Sequence, residues 1–116
     1  MSDNQDERGK ISEKFHAEVK WAIEKSITNL LGQQAFNLLY GFLKRRHDIS
    51  MEEIPYHVEP LFDTLEATLG SQGSRKIGTV IAKEVYNKMG LKFVEMPELR
   101  LTDYLNEAKR QLTLDR

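Results

Sequence analysis

The sequence predicts an all-α fold, a compact single-domain bundle of about five helices joined by short loops. In five successive segments the apolar residues recur at steps of three and four, the spacing of one helix face. Glycine or proline stands near most boundaries between these segments, where helices commonly end. Only residues 92–96 alternate in polarity as a strand does. A lone strand has no partner, so we expect a connector that covers the core.

Composition excludes several classes of function. A chain of 116 residues can bury the core of one domain without disulfides or metals. Because it contains no cysteine, disulfide frameworks, thiolate zinc sites, iron–sulfur clusters and cysteine nucleophiles are excluded. Its net charge of −1 argues against a general nucleic-acid binder, since such proteins owe much of their affinity to the neutralisation of phosphates.

The amino-terminal residues are polar and carry no apolar run. Five of residues 1–10 are charged, which predicts a disordered tail ahead of a single helical domain over residues 11–116. This composition is unlike a secretory signal, and no stretch is long and apolar enough to span a bilayer. We therefore expect a cytoplasmic protein that makes no contact with membranes.

The first helix is predicted over residues 11–31, with Gly32 as a C-terminal cap or a break. At about 100° per residue, Trp21 falls away from the apolar stripe of this helix. One interpretation is a tryptophan that lies flat over a neighbouring side chain. The other is an anchor for a partner on the side opposite the core stripe, because tryptophan is enriched at interface hot spots. On that interpretation the first helix is the expected dimer element.

The second helix, residues 33–46, holds seven apolar residues within nine positions. They cover more than one stripe, so we expect this helix to be buried against several neighbours at the centre of the fold. Gly41, inside it, is expected to let another backbone approach closely. The basic end formed by Lys44, Arg45 and Arg46 suits the negative end of the helix dipole. Alternatively, it binds a phosphate or an acidic partner.

The third helix is acidic. Residues 50–53 have the spacing of a capping box, a serine followed three residues later by a glutamate, and Pro55 limits the short turn that they open. The helix proper then runs to Gly70, which ends it. Residues 51–70 contain five acidic side chains and no lysine or arginine.

The fourth helix is basic and follows a polar turn at residues 71–74. It is predicted to end at Gly90 with Leu91 behind it, the arrangement of a Schellman cap. Residues 71–92 contain five basic side chains and one acidic, so we expect the third and fourth helices to pack antiparallel with opposite charges along neighbouring edges. The alternative is that each charged face seeks an external partner or its copy in a dimer. The last helix opens near Thr102.

No constellation of residues predicts catalysis, a metal or a cofactor. Glu53 and His57 have the spacing of one helix face, but Pro55 breaks the geometry, and two ligands make a weak metal site. The serines of the polar turn suit helix caps better than nucleophiles. Residues 70–76 lack the spacing and the preceding strand of a phosphate-binding loop. We therefore predict that the protein is not an enzyme, with no catalytic residue, metal ligand or cofactor.

A DNA-binding alternative depends on the junction between the third and fourth helices. A helix, a short turn and a second helix that begins with Ser-Arg-Lys resemble a helix-turn-helix in outline. The acidic helix directly before the turn would repel a DNA backbone, so this alternative is the less favoured. The residues that would face phosphates or bases are Ser71, Gln72, Ser74, Arg75 and Lys76.

The order of several short segments resembles a known domain family. The segments are LLYGFLKRRHDIS, then EEIP, then VYNKMGL, and finally LTDYLNEAKRQL. Together they are similar to a small helical archaeal domain named the Nitrosopumilus output domain, of the type numbered five, over about residues 26–113. The resemblance implies an archaeal all-helical domain with a role in signalling output. It implies no catalytic or binding residue.

The function predicted from the sequence is that of a non-catalytic helical interaction or regulatory module. We expect it to form a homodimer or to bind a protein partner in archaeal signalling. Nucleic acid is the less favoured partner, and no small molecule is indicated. The predicted contact residues are Trp21, Lys44, Arg45 and Arg46, a tryptophan off its stripe and the basic end of a helix.

Overall fold

The computed structural model describes the backbone of residues 2–114 and the side chains of residues 12–113. Its elements are α1 (Ser2–Leu31), α2 (Gln33–His47), a short 3-10 helix (Met51–Tyr56), α3 (Val58–Lys88) and α4 (Leu101–Leu114). The described backbone contains no strand. The predicted all-α bundle of about five helices is therefore confirmed.

α1 begins earlier than the sequence predicts. The apolar periodicity indicates a start at residue 11, whereas the backbone is helical from Ser2. The added segment contains no proline, the residue that most strongly interrupts a helix. The disordered tail predicted for residues 1–10 stays a prediction, because their side chains lie outside the described part of the chain.

α1 and α3 form the centre of the bundle. Each of them packs against every other helix of the described chain. Their apolar stripes repeat at three and four residues, which allows the side chains of one helix to fit between those of the other. The buried side chains that α1 contributes to the core include Val19, Ile23 and Ile27, and those from α3 include Leu61, Phe62, Ile81 and Val85.

Gly70 divides α3 into two arms, a first arm of residues 58–69 and a second arm of residues 71–88. Its backbone, at φ 82° and ψ 170°, is far from helical and lies in a region that glycine occupies readily. The arms fold back on each other, so that Phe62 of the first packs on Gly78 of the second. The predicted break at Gly70 is confirmed. The polar turn predicted after it is wrong, because one glycine makes the whole change of direction.

α2 lies at the side of the bundle, where it packs against α1 and α3. Only Phe36 and Leu43 are buried, and Leu38 exposes 73% of its surface. Phe36 and Leu38 are two positions apart, or about 200° around a helix, so neighbours on one side of α2 cannot cover both. The prediction that α2 is the buried centre of the fold is wrong, because its apolar residues exceed the neighbours available to cover them.

Gly41 does not mark a close approach of two backbones. A Cβ at this position would meet only the Arg45 side chain, whose Nη1 atom would lie 3.2 Å away and can move aside. Replacing Gly41 with alanine is expected to raise the free energy of unfolding by about 1 kcal/mol, because alanine favours the helix. Urea unfolding followed by circular dichroism measures this difference.

Gly78→Ala is the matched control for Gly41→Ala. It makes the same change in helix propensity, but its Cβ would lie 3.3 Å from Cε1 of the buried Phe62. We therefore expect it to stabilise the protein less than Gly41→Ala does. A Gly41→Ala variant that unfolds at lower urea than the wild type would show that the space beside Gly41 is needed after all.

The connector between α3 and α4 covers part of the core and does not form a strand, as the sequence predicts. The ring centroid of Phe93 lies 5.3 Å from that of Tyr86 and 5.2 Å from that of Tyr104. Tyr104 Oη accepts a hydrogen bond from the Met96 backbone N–H and donates one to the Met96 carbonyl, both at 2.8 Å. Phe93 and Met96, in the middle of the connector, thus both contact the same tyrosine.

Two predicted helix ends are confirmed. At the end of α3, Gly90 has a φ of 73°, and the Leu91 N–H donates to the Tyr86 carbonyl at 2.8 Å, as in a Schellman cap. At the 3-10 helix, the Glu53 carboxylate accepts hydrogen bonds from the backbone N–H and the hydroxyl of Ser50, each at 2.9 Å. Because they stabilise the charged carboxylate, these bonds lower the pKa of Glu53.

Candidate protein-docking groove

An apolar groove of about 480 Å³ lies between α2 and the first arm of α3, and we call it the docking groove. Its lining holds a single charged residue, so it suits an apolar surface better than an ion. The lining residues are Leu31, Ala35, Leu38, Leu39, Phe42, Asp63, Thr64, Leu65, Ala67, Thr68 and Leu69.

The α2 wall of the docking groove is a helix face that the fold covers only in part. Ala35, Leu38, Leu39 and Phe42 share this face because they recur at steps of three and four. Leu38 is largely exposed, and the other three are half-buried. Large apolar side chains exposed singly are ordinary, whereas a contiguous group of them marks an interaction site.

The first-arm wall carries two threonines that contribute apolar surface. Thr64 Oγ1 donates a hydrogen bond to the Pro60 carbonyl, and Thr68 Oγ1 donates one to the Thr64 carbonyl, each at 2.9 Å. These bonds satisfy the hydroxyl protons within the helix itself. The threonines therefore offer methyl groups rather than free donors to the groove.

The basic end of α2 adjoins the docking groove. The Arg46 guanidinium lies over the ring of Phe42, with Cζ 5.5 Å from the ring centroid. Lys44 Nζ lies 3.9 Å from an Asp48 carboxylate oxygen. Among the described side chains, neither Arg45 nor Arg46 has a carboxylate within ion-pair distance. The structure thus brings Arg46 to the edge of the groove, with Arg45 beside it in the sequence, whereas Lys44 pairs with the residue that caps the end of its helix.

Trp21 is not part of the docking groove. It is half-buried, packs against the core, and is flanked by two ammonium groups. Lys25 Nζ lies 4.5 Å and Lys88 Nζ 4.3 Å from its ring centroid, as in cation–π contacts. The expectation that Trp21 lies opposite the core stripe is wrong, because the end of α3 lies beside it. Its role as a partner anchor stays a prediction.

Two acidic residues of the first arm, Glu59 and Asp63, form ion pairs with Arg100, which directly precedes α4. Arg100 Nη2 lies 3.4 Å from carboxylate oxygens of both Glu59 and Asp63, and its guanidinium lies over Phe62 at 4.5 Å. The expected pairing of charges between the two arms is not observed among the described side chains. The arms meet instead through apolar contact of Phe62 with Gly78.

The residues of the DNA-binding alternative do not share one exposed surface. Ser74 is fully buried, and its Oγ donates to the Ser71 carbonyl at 3.1 Å. Ser74 is therefore wrong as a nucleic-acid contact, and the helix restarts directly after its break, without the turn of a helix-turn-helix. The exposed members of the set are Ser71, Gln72, Arg75 and Lys76. Their binding to DNA stays a prediction.

The pKa shifts of the ionisable groups in α4, and of those where α4 meets α3, are caused by their immediate surroundings. Hydrogen bonds from Arg110 and Gln111 lower the pKa of Glu107 to about 2. Burial raises the pKa of Tyr86, whose Oη donates to the Tyr104 carbonyl at 2.8 Å. None of these groups lines the docking groove. In the described part of the chain, no three His, Asp or Glu side chains lie together as metal ligands would.

Comparison with known proteins identifies no relative. No protein-family model matches the chain, and no curated protein and no solved structure gives a significant match. The resemblance to the archaeal output domain therefore stays a prediction. Over the described residues, every helix is too short or too polar to cross a membrane.

Leu38, Leu39 and Phe42 of the groove were not among the predicted functional residues, because the apolar pattern of α2 predicts that they lie in the core. One signal could have found them. Apolar residues around most of a helix require neighbours on most sides, and a bundle of so few helices leaves at least one of them at the edge. A broad apolar face at an edge is then an exposed face.

Proposed function

We propose that the protein is a non-catalytic helical interaction module that binds an amphipathic helix of a protein partner in the docking groove. The observation that supports this is the partly covered face of α2, where Leu38 exposes 73% of its surface. Full burial of a leucine is worth roughly 1.5–3 kcal/mol. An amphipathic helix presents several such side chains at the three- and four-residue spacing of the groove wall.

The dimensions of the docking groove suit a helix. On α2 its lining extends from Ala35 to Phe42, a rise of about 10 Å or two helical turns. A helix laid between α2 and the first arm can place its side chains between the ridges of both. The groove has two states, one with a partner helix bound and one without. A regulatory role in signalling would depend on the change between these two states.

A second copy of the chain is the competing occupant, since the sequence predicts a homodimer. The two possible occupants are distinguished by the effect of diluting the protein. A homodimer dissociates on dilution of the protein alone, whereas a partner helix binds a monomer. The same variant of the groove separates these cases.

Replacing Leu38 with lysine is expected to weaken binding of a synthetic amphipathic helix by about tenfold or more, because it places a charge in the apolar contact. The probe is a fluorescent peptide of about 18 residues with leucines at i, i+3, i+4 and i+7 and a glutamine-rich polar face. Fluorescence anisotropy measures the affinity. Circular dichroism should show an unchanged fold, because Leu38 is already largely exposed.

Val94→Lys is the matched control, since Val94 exposes 54% of its surface but lies on the connector. It should bind the peptide as the wild type does. A wild type that does not bind the peptide, or a Leu38→Lys variant that binds it equally well, contradicts the docking groove. In sedimentation velocity, a wild-type dimer that Leu38→Lys dissociates would assign the groove to a second copy instead.

A further inference from the structure

We infer that the docking groove selects an amphipathic helix with carboxylates just beyond its apolar stripe, which Arg45 and Arg46 bind. This inference rests on the proposed function and names the chemistry of the partner. The partner is thus an acid-ended helix of another protein. Its apolar stripe occupies the groove, and its acidic end reaches the basic end of α2.

The two arginines lie on the same face of α2 as the groove wall. Arg45 and Arg46 follow Phe42 by three and four residues, so they occupy the next turn of that face. Side chains on a helix lean towards its N-terminus, and both arginines do so. Arg46 reaches back over Phe42, and Arg45 reaches back beside Gly41.

The arginines are available for an external carboxylate. Both are exposed, and neither forms an ion pair with any described side chain. The Arg46 guanidinium lies over the Phe42 ring, with Cζ 5.5 Å from its centroid, and this contact with a π face uses none of its N–H groups as a hydrogen-bond donor to a carboxylate. A guanidinium so placed can donate two parallel hydrogen bonds to one carboxylate.

A second copy of the chain does not supply the matching charge. If two grooves met with their α2 helices parallel, the arginines of one copy would face those of the other. If the helices were antiparallel, the arginines would reach the end of the groove lined by Leu31 and Leu69, where no lining residue is acidic. The acidic residue of the lining, Asp63, is already paired with Arg100. Charge complementarity therefore favours a different, acidic partner.

The test uses three peptides with the same apolar stripe. One carries three glutamates in its first turn, one carries them in its last turn, and one carries glutamines at both ends. With the wild-type protein at low salt, one glutamate peptide is expected to bind about five- to tenfold more tightly than the glutamine peptide. This preference should shrink as salt is raised, because exposed charges are screened.

The variant Arg45→Gln/Arg46→Gln should lose the preference and still bind the glutamine peptide. Lys76→Gln/Lys83→Gln removes the same net charge from exposed residues outside the groove, and it should keep the preference. Equal binding of all three peptides to the wild type, or a preference that survives in Arg45→Gln/Arg46→Gln, overturns the inference alone. Failure of the wild type to bind any peptide overturns the docking groove itself.

Discussion

Replacing Phe62 with alanine is expected to lower the free energy of unfolding by about 3–5 kcal/mol, as for other large-to-small changes in a packed core. Only 2% of Phe62 is exposed. Its ring fills the space left by the missing side chain of Gly78, and the Arg100 guanidinium covers it at 4.5 Å. The variant should leave a cavity where the two arms of α3 and the start of α4 meet. Urea unfolding followed by circular dichroism measures the loss.

Phe42→Ala is the control for that measurement. The sequence assigns both phenylalanines to the core, whereas the structure leaves Phe42 half-buried on the wall of the docking groove. Its loss should cost less than half as much stability as the loss of Phe62, and it should weaken binding of the amphipathic peptide. Equal costs for the two variants would mean that α2 is buried, and the groove would then not exist.

Replacing Tyr104 with phenylalanine is expected to cost about 1–3 kcal/mol, because it leaves the Met96 N–H without its partner and removes one of the two hydrogen bonds to the Met96 carbonyl, which keeps the one from the Leu99 N–H. The hydroxyl accepts from the N–H and donates to the carbonyl of this residue. Tyr104 is 2% exposed whereas Met96 is 43% exposed, so water hydrates part of what is freed and we expect a loss at the lower end of this range. The stability change is measured by urea unfolding.

The Tyr104→Phe variant has a second, local readout. Release of the connector should speed cleavage by trypsin after Lys92, which lies on that segment, more than cleavage at other sites. Tyr56→Phe removes a hydroxyl from a tyrosine that is 62% exposed and should change neither readout. A Tyr104→Phe protein as stable and as resistant as the wild type would show that the two bonds to Met96 contribute nothing.

The sequence predicted those parts of the fold that depend on local signals. Periodicity identified the helical segments, and Gly90 with Leu91 identified a helix end, because both depend on residues within a few positions of each other. The break at Gly70 was predicted for the same reason. The form of the break was not predicted. Two helices can be joined by one glycine or by a longer turn, and which of these occurs depends on how closely the arms pack.

The position of α2 could not be predicted, because it depends on which helices compete for the centre of the bundle. Seven apolar residues within nine favour burial wherever neighbours exist, but α1 and α3 bury each other and leave α2 one side. Ion pairs were equally non-local. Arg100 forms ion pairs with Glu59 and Asp63, which lie far from it in the sequence. The candidate site therefore depends on the packing of α2 beside the first arm, which no local pattern in the sequence specifies.

The threonine hydroxyls of the groove wall, which are bonded to their own helix, limit what the groove can distinguish. A helix lying against Thr64 and Thr68 meets methyl groups and hydroxyls whose protons are already bonded, so these threonines donate no hydrogen bond to a particular side chain of the partner. Many sequences with the same spacing of apolar residues then fit this wall almost equally well. Under the proposed function, discrimination among partners is left to the ends of the bound helix, and one such protein would bind several partners that share a pattern of apolar residues rather than a sequence motif.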